Sequence, residues 1–164
     1  MKINRKGNKM KKLLIVIVAL FINNNIIAGD KEDITNQIKQ LWVNFSNKKV
    51  DISLLNPNGS WQASSEGGLW NFQSPKELQS QIADSPNTLN FRPYHIEVTI
   101  VGKSQDVAYT NYYLIGTITG RGGKVVANNY RTRASGTLVK KAGKWVSVGE
   151  HYSPLYGGSG VIFD

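Results

Sequence analysis

Apolar positions recur at spacings of three and four in the first third of the chain and at a spacing of two in the second half. Over residues 32–47, Ile34, Ile38, Leu41, Trp42 and Phe45 form one stripe, which predicts a helix with Asp33 as its N-cap. Residues 51–68 are rich in Asn, Gly and Ser and read as loop, with Trp61 on a short strand inside it. Ser74, Pro75 and Glu77 then supply an N-cap, a proline at the first helical position and a glutamate that reaches back to the cap, so a short helix to about Ala83 follows. From Asn90 the period is two: Tyr94, Ile96, Val98 and Ile100 alternate with His95, Glu97, Thr99 and Val101. A second strand opens at Asp106. The Gly120–Lys124 segment turns the chain into two more strands, 125–140 and 144–152. Helices first and a four-stranded antiparallel meander last predict an α+β domain with the helices on one face of the sheet.

The amino terminus follows a different pattern. Residues 1–12 carry six Lys or Arg and no acid, residues 13–22 are apolar, and Ala28–Gly29 end the segment. A basic end, a short apolar run and a small-residue exit describe a secretory signal peptide, cleaved near Gly29, with Met10 as an alternative start. Ten apolar residues fall short of the roughly 20 that span a bilayer. The expected product is an exported, periplasmic or secreted, single domain over residues 30–164 with no stable membrane insertion. Cleavage changes the charge argument. The whole chain is +9, but removing six bases leaves 14 against 11 acids, or +3, and those 14 are scattered among apolar residues. A nucleic-acid partner is therefore not expected. There is no cysteine, so the domain must be held by its core alone, without disulfide or lipid anchor.

Few chemistries survive a motif search. The two histidines show no metal-site spacing, no GxSxG elbow is present, and Gly120–Lys124 lacks the phosphate-loop pattern. No metal or other cofactor is expected.

The closing segments "RASGTLVKKAGKW" (133–145) and "VSVGEHYS" (146–153) carry an Arg, a Ser two residues on, a Gly-Lys-Trp turn and a His six residues after the Trp. With the "DVAYTNYY" strand before them, they resemble the nuclear transport factor 2-like superfamily, in its polyketide-cyclase-like and ketosteroid-isomerase-like branch. The resemblance implies a cystatin-like cone: a strongly curved antiparallel sheet wrapped around the N-terminal helices, with a pocket in its mouth and, in many relatives, dimerisation through the outer face. Catalytic relatives shuttle a proton on a carboxylate inside the cone. The resemblance leaves that acid unplaced here, since Glu66 lies in a Gly-flanked turn.

Strand parity puts Trp145, Ser147, Gly149, His151 and Ser153 on one face and Val146, Val148, Glu150 and Tyr152 on the other. If the resemblance holds, the His151 row and the Arg133/Ser135 row look into the cone. His151 is then the candidate catalytic group, and Arg133, Ser135 and His151 orient a ligand while Trp61, Trp70 and Tyr112 line walls. Imidazole suits proton transfer and guanidinium suits an anion. The same placement also fits polar groups that merely satisfy the end of a sheet. Glu150 reads as a solvated residue of the outer face. The expected ligand is a small apolar or weakly anionic molecule. Three roles stay open: a small-molecule-binding protein, an isomerase- or cyclase-type enzyme, and a dimerisation or interaction module.

Overall fold

A computed structural model describes residues 29–65 and 68–155. The signal-peptide expectation and Glu66 lie outside the described residues. Helix α1 covers residues 29–46 and buries Ile34, Ile38, Trp42 and Phe45 of the expected stripe, with Leu41 partly buried beside them. Its start differs from expectation, because residues 29–32 are already helical and Asp33 lies inside the helix. Asp30 anchors that end instead. Its Oδ1 accepts from Lys140 Nζ at 2.6 Å and from the indole Nε1 of Trp145 at 3.1 Å, tying the first turn to the far hairpin of the sheet. Among the described residues no helix is long and apolar enough to cross a membrane.

After α1 come β1 (Ser60–Ala63), β2 (Asn71–Gln73), α2 (Pro75–Asp84), β3 (Thr88–Val101), β4 (Val107–Thr119), β5 (Val125–Lys141) and β6 (Lys144–Pro154). The expected capping box starts α2: Ser74 Oγ accepts from the Glu77 amide while Glu77 Oε2 accepts from the Ser74 amide at 2.7 Å. Where α1 ends, Lys48 Nζ donates to the carbonyls of Ser85 (2.9 Å) and Asn87, which fixes the two helices against each other.

The sheet has six strands in the order β2-β1-β6-β5-β4-β3, two more than the meander alone. The added pair is short, and β1 runs parallel to β6, with Trp61, Gln62 and Ala63 opposite Gly149, Glu150 and His151. Strands of four and three residues in a Gly/Ser-rich stretch carry little propensity of their own; the exposed edge of β6 supplies their order.

Register shifts interrupt the meander between Tyr94 and Glu97, between Gly116 and Thr119, and at Thr137–Leu138. Such bulges sharpen twist and bend a sheet, and here the curved sheet closes around α1. The core fills its concave side: Phe91 and Val98 of β3, Ala108, Tyr112, Leu114 and Ile118 of β4, Ala134 and Leu138 of β5 and Trp145 of β6 pack with the α1 stripe and Ile82. At Gly116 an added Cβ would lie 2.0 Å from the carbonyl oxygen of Asn90, so only glycine permits that approach of β4 to β3. The first bulge also re-aims β3. Ile96, Val98 and Ile100 pack inward as the period predicts, but Tyr94, expected on their face, is 42% exposed beyond the bulge.

Candidate functional site

Between α1, α2 and the concave sheet lies a cavity of about 370 Å³. Its walls are mostly apolar, from Trp42, Phe45, Phe91, Leu114 and Leu138, and amides and hydroxyls of Gln37, Gln62, Ser64, Gln73 and Gln81 add a neutral polar share. The one carboxyl among the described lining residues is Glu150.

A bulge places it there. Thr137 pairs with Gly149 but Leu138 pairs with Ser147, so β6 carries one extra residue, Val148. Before it, Trp145 and Ser147 face inward. After it, the inward positions are Glu150 and Tyr152, both lining the cavity, and the outward ones are Gly149, His151 and Ser153. This corrects the expected parity, which treats β6 as one uninterrupted alternation.

A row of neighbours runs across the sheet at Thr110, Gly136, Glu150 and Gln62. The carboxyl lies over Gly136, where an added Cβ would stand 2.8 Å from Glu150 Oε2 and 3.0 Å from Thr110 Oγ1. Glycine at 136 thus makes the seat. Ser147 Oγ donates to Glu150 Oε1 at 2.8 Å, whereas Oε2 is enclosed and has no hydrogen-bond partner. The Thr110 hydroxyl turns away to the Gly136 carbonyl at 3.3 Å. Removal from water disfavours the charged form and pushes the Glu150 pKa from 4.5 up to about 7, against the smaller opposing effect of the Ser147 hydrogen bond.

One row along, Tyr112, Ala134 and Tyr152 are cross-strand neighbours. Alanine between them leaves room for the two phenols, whose hydroxyls influence each other's titration. Burial first, then charge on neighbours including Glu150, holds both well above the ordinary tyrosine range, so both stay protonated. Trp42 packs edge-on to Tyr152, ring centroids 5.8 Å apart. Its indole N–H lies close to the Tyr112 hydroxyl without completing a hydrogen bond of ordinary geometry.

Of the residues singled out from the sequence, Tyr112 is the one inside the cone, buried beside Glu150 in the core, though it does not itself line the cavity as expected. Arg133, Ser135 and His151 do come together, since Ser135 is opposite His151 and Arg133 opposite Ser153, but on the convex face. His151 and Arg133 are exposed, and none of the three lines the cavity. On β5 the inward positions are Thr132, Ala134, Gly136 and Leu138, the opposite parity from the one expected. Trp70 sets its ring 5.7 Å from that of His151, and Trp61 packs on Phe72 at 5.3 Å; each tryptophan is more than half exposed and away from the cavity. Arg133, the group that suggested an anionic ligand, faces away from the cavity. Glu150 is the cavity-facing acid that strand parity alone turned outward. The glycine after "VSV" was its signal, since glycine inside a strand often marks a bulge.

No protein-family model and no curated protein matches the sequence. Solved structures do. A nuclear transport factor 2-like superfamily protein from Salmonella enterica serovar Typhimurium is similar with a TM-score of 0.62 at 16% identity, covering 83% of this chain and 99% of its own. The association domain of CaMKII from C. elegans is similar at 0.56 and 22% identity, covering 77% and 96%. A ketosteroid isomerase-like protein from Erwinia carotovora is similar at 0.59 and 19% identity, covering 76% and 95%. The chain therefore has the nuclear transport factor 2-like, cystatin-like fold that its closing hairpin resembles. At these identities the likeness defines the fold alone.

Proposed function

We propose that this is an exported small-molecule-binding protein whose ligand enters the cone and meets Glu150. One observation carries the reading: a carboxyl with a single partnered oxygen lines a largely apolar cavity of about 370 Å³. That is the usual make-up of a ligand site, apolar walls with a few placed polar groups. A carboxyl with a pKa of about 7 populates both protonation states at neutral pH, so Glu150 is equipped to take a proton from a ligand and return it. This supports the isomerase- or cyclase-type reading in the same cavity, with Glu150 in the role first given to His151.

A second reading rests on the outer face. Tyr109, Thr137, Gly149, Trp61 and Phe72 lie in one row across five strands, and the three aromatics are 44%, 53% and 49% exposed. Such a row suits a second copy of the chain. Native mass spectrometry of the protein recovered from its own cells tests both readings and the export reading together. We expect a chain starting near residue 30, a homodimer and a retained small molecule that Glu150→Gln loses and His151→Ala keeps. Retention unaffected by Glu150→Gln refutes the site; a monomer refutes the second reading; an intact N-terminus refutes export.

A further inference from the structure

The charge inventory of the cavity narrows its ligand. This step rests on the reading that the ligand meets Glu150. Among the described lining residues there is no Lys, Arg, His or Asp, so Glu150 is the sole group there that is charged near neutrality. The titratable side chains around it are Tyr112, Tyr152 and, across the cavity, Tyr130. The first two are held neutral, and Tyr130 is hydrogen-bonded to Ser65 Oγ at 2.6 Å.

An anion entering this space meets a carboxylate and no compensating cation, and it loses its own hydration. A wholly apolar guest leaves Glu150 Oε2 without a partner. A guest that offers only an acceptor needs Glu150 to hold its proton.

The walls decide among the rest. Trp42 contacts Phe45, Phe91 and Tyr152 with ring centroids 5.3, 5.5 and 5.8 Å apart, and Phe91 stacks on Tyr130 at 5.5 Å, so aromatic surface runs from one side of the cavity to the other. Aromatic faces attract cations, most strongly where water is excluded. Glu150 Oε2 is enclosed over Gly136, and the terminal torsion of glutamate is soft, so rotation of the carboxyl about it brings an oxygen to a guest.

We propose that the cone binds a small organic cation: a protonated primary or secondary amine on an apolar body, its N–H donated to Glu150 and its charge flanked by the aromatic walls. The pairing satisfies the lone buried acceptor and keeps Glu150 ionised. It also makes binding release a proton below neutral pH, where the empty site holds one.

The test uses the full domain and three probes of near-equal size: 2-phenylethylamine, 2-phenylethanol and 3-phenylpropionate, titrated by calorimetry at about pH 8 and about pH 6. We expect the amine to bind about tenfold or more tightly than the alcohol, the carboxylate to bind most weakly, and the amine's advantage to disappear in Glu150→Gln. At the lower pH, amine binding releases a proton to the buffer. An alcohol that matches the amine in the unmutated protein overturns the cation while leaving the cavity reading intact, as does preference for the carboxylate. Binding of none of the three overturns both. The amine-to-alcohol ratio in the unmutated protein decides the matter even if Glu150→Gln folds poorly.

Discussion

Glu150 should leave a signature in stability as well as in binding, and its sign is fixed by the direction of its pKa. In the folded chain the carboxyl titrates at about 7 and in the unfolded chain near 4.5. Between those values the folded state holds a proton that the unfolded state has lost, so stability falls as pH rises through this window. Below 4.5 both states are protonated and the contribution is fully present; above 7 both are ionised and it is gone. A difference of about 2.5 units at 1.36 kcal/mol per unit amounts to about 3 kcal/mol, a large part of the stability of an ordinary domain. Glu150→Gln keeps the shape and removes the titration. Urea unfolding of both proteins from about pH 4.5 to pH 8.5 gives two curves whose difference isolates this group, because other carboxylates cancel and any altered hydrogen bond adds a constant offset. We expect the variant to gain about 3 kcal/mol on the unmutated protein across that range. Two parallel curves refute the buried, unpaired carboxyl.

Substitutions at two further positions test the frame around the site. Gly136→Ala should cost about 1–3 kcal/mol and displace the Glu150 carboxyl, because the new Cβ would stand 2.8 Å from Oε2; thermal unfolding checks the first, and a flattened pH profile of stability the second. Asp30→Ala should cost about 2–3 kcal/mol in urea unfolding, since it strands the buried indole N–H of Trp145, while Asp30→Asn, which keeps an acceptor, should recover part of the loss; equal losses refute the role of that hydrogen bond.

Periodicity in the sequence located both helices, the capping box at Ser74 and all four strands of the meander, because each of those elements is long or locally capped enough to declare itself. The β1–β2 pair was legible only as Trp61 on a short strand. Its order comes from pairing with β6, a partner more than eighty residues away, to which local propensity is blind. The face of each strand was harder. Alternation predicts faces only up to the first bulge, and β3 and β6 each contain one at the place that mattered: Tyr94 went outward, and His151 exchanged sides with Glu150. Arg133 and Ser135 were correctly paired with the His151 row, so all three moved together. The cavity acid itself was considered and set aside because of one uncounted residue, and a buried carboxyl oxygen without a donor has no local sequence pattern to announce it.

Val148 also governs how this chain can be compared with others. Because β6 gains a residue that β5 does not match, an alignment to a relative without the bulge must open a one-position gap between Ser147 and Gly149. Set side by side without that gap, Glu150 falls in an outward column and His151 in the inward one. The two halves of the strand are thus in different frames, and the same letters over this stretch would turn an acid or an imidazole toward the cavity according to whether the extra residue is there. Function transferred along this segment by sequence alone follows the wrong side chain, whereas function transferred by superposed Cα positions does not.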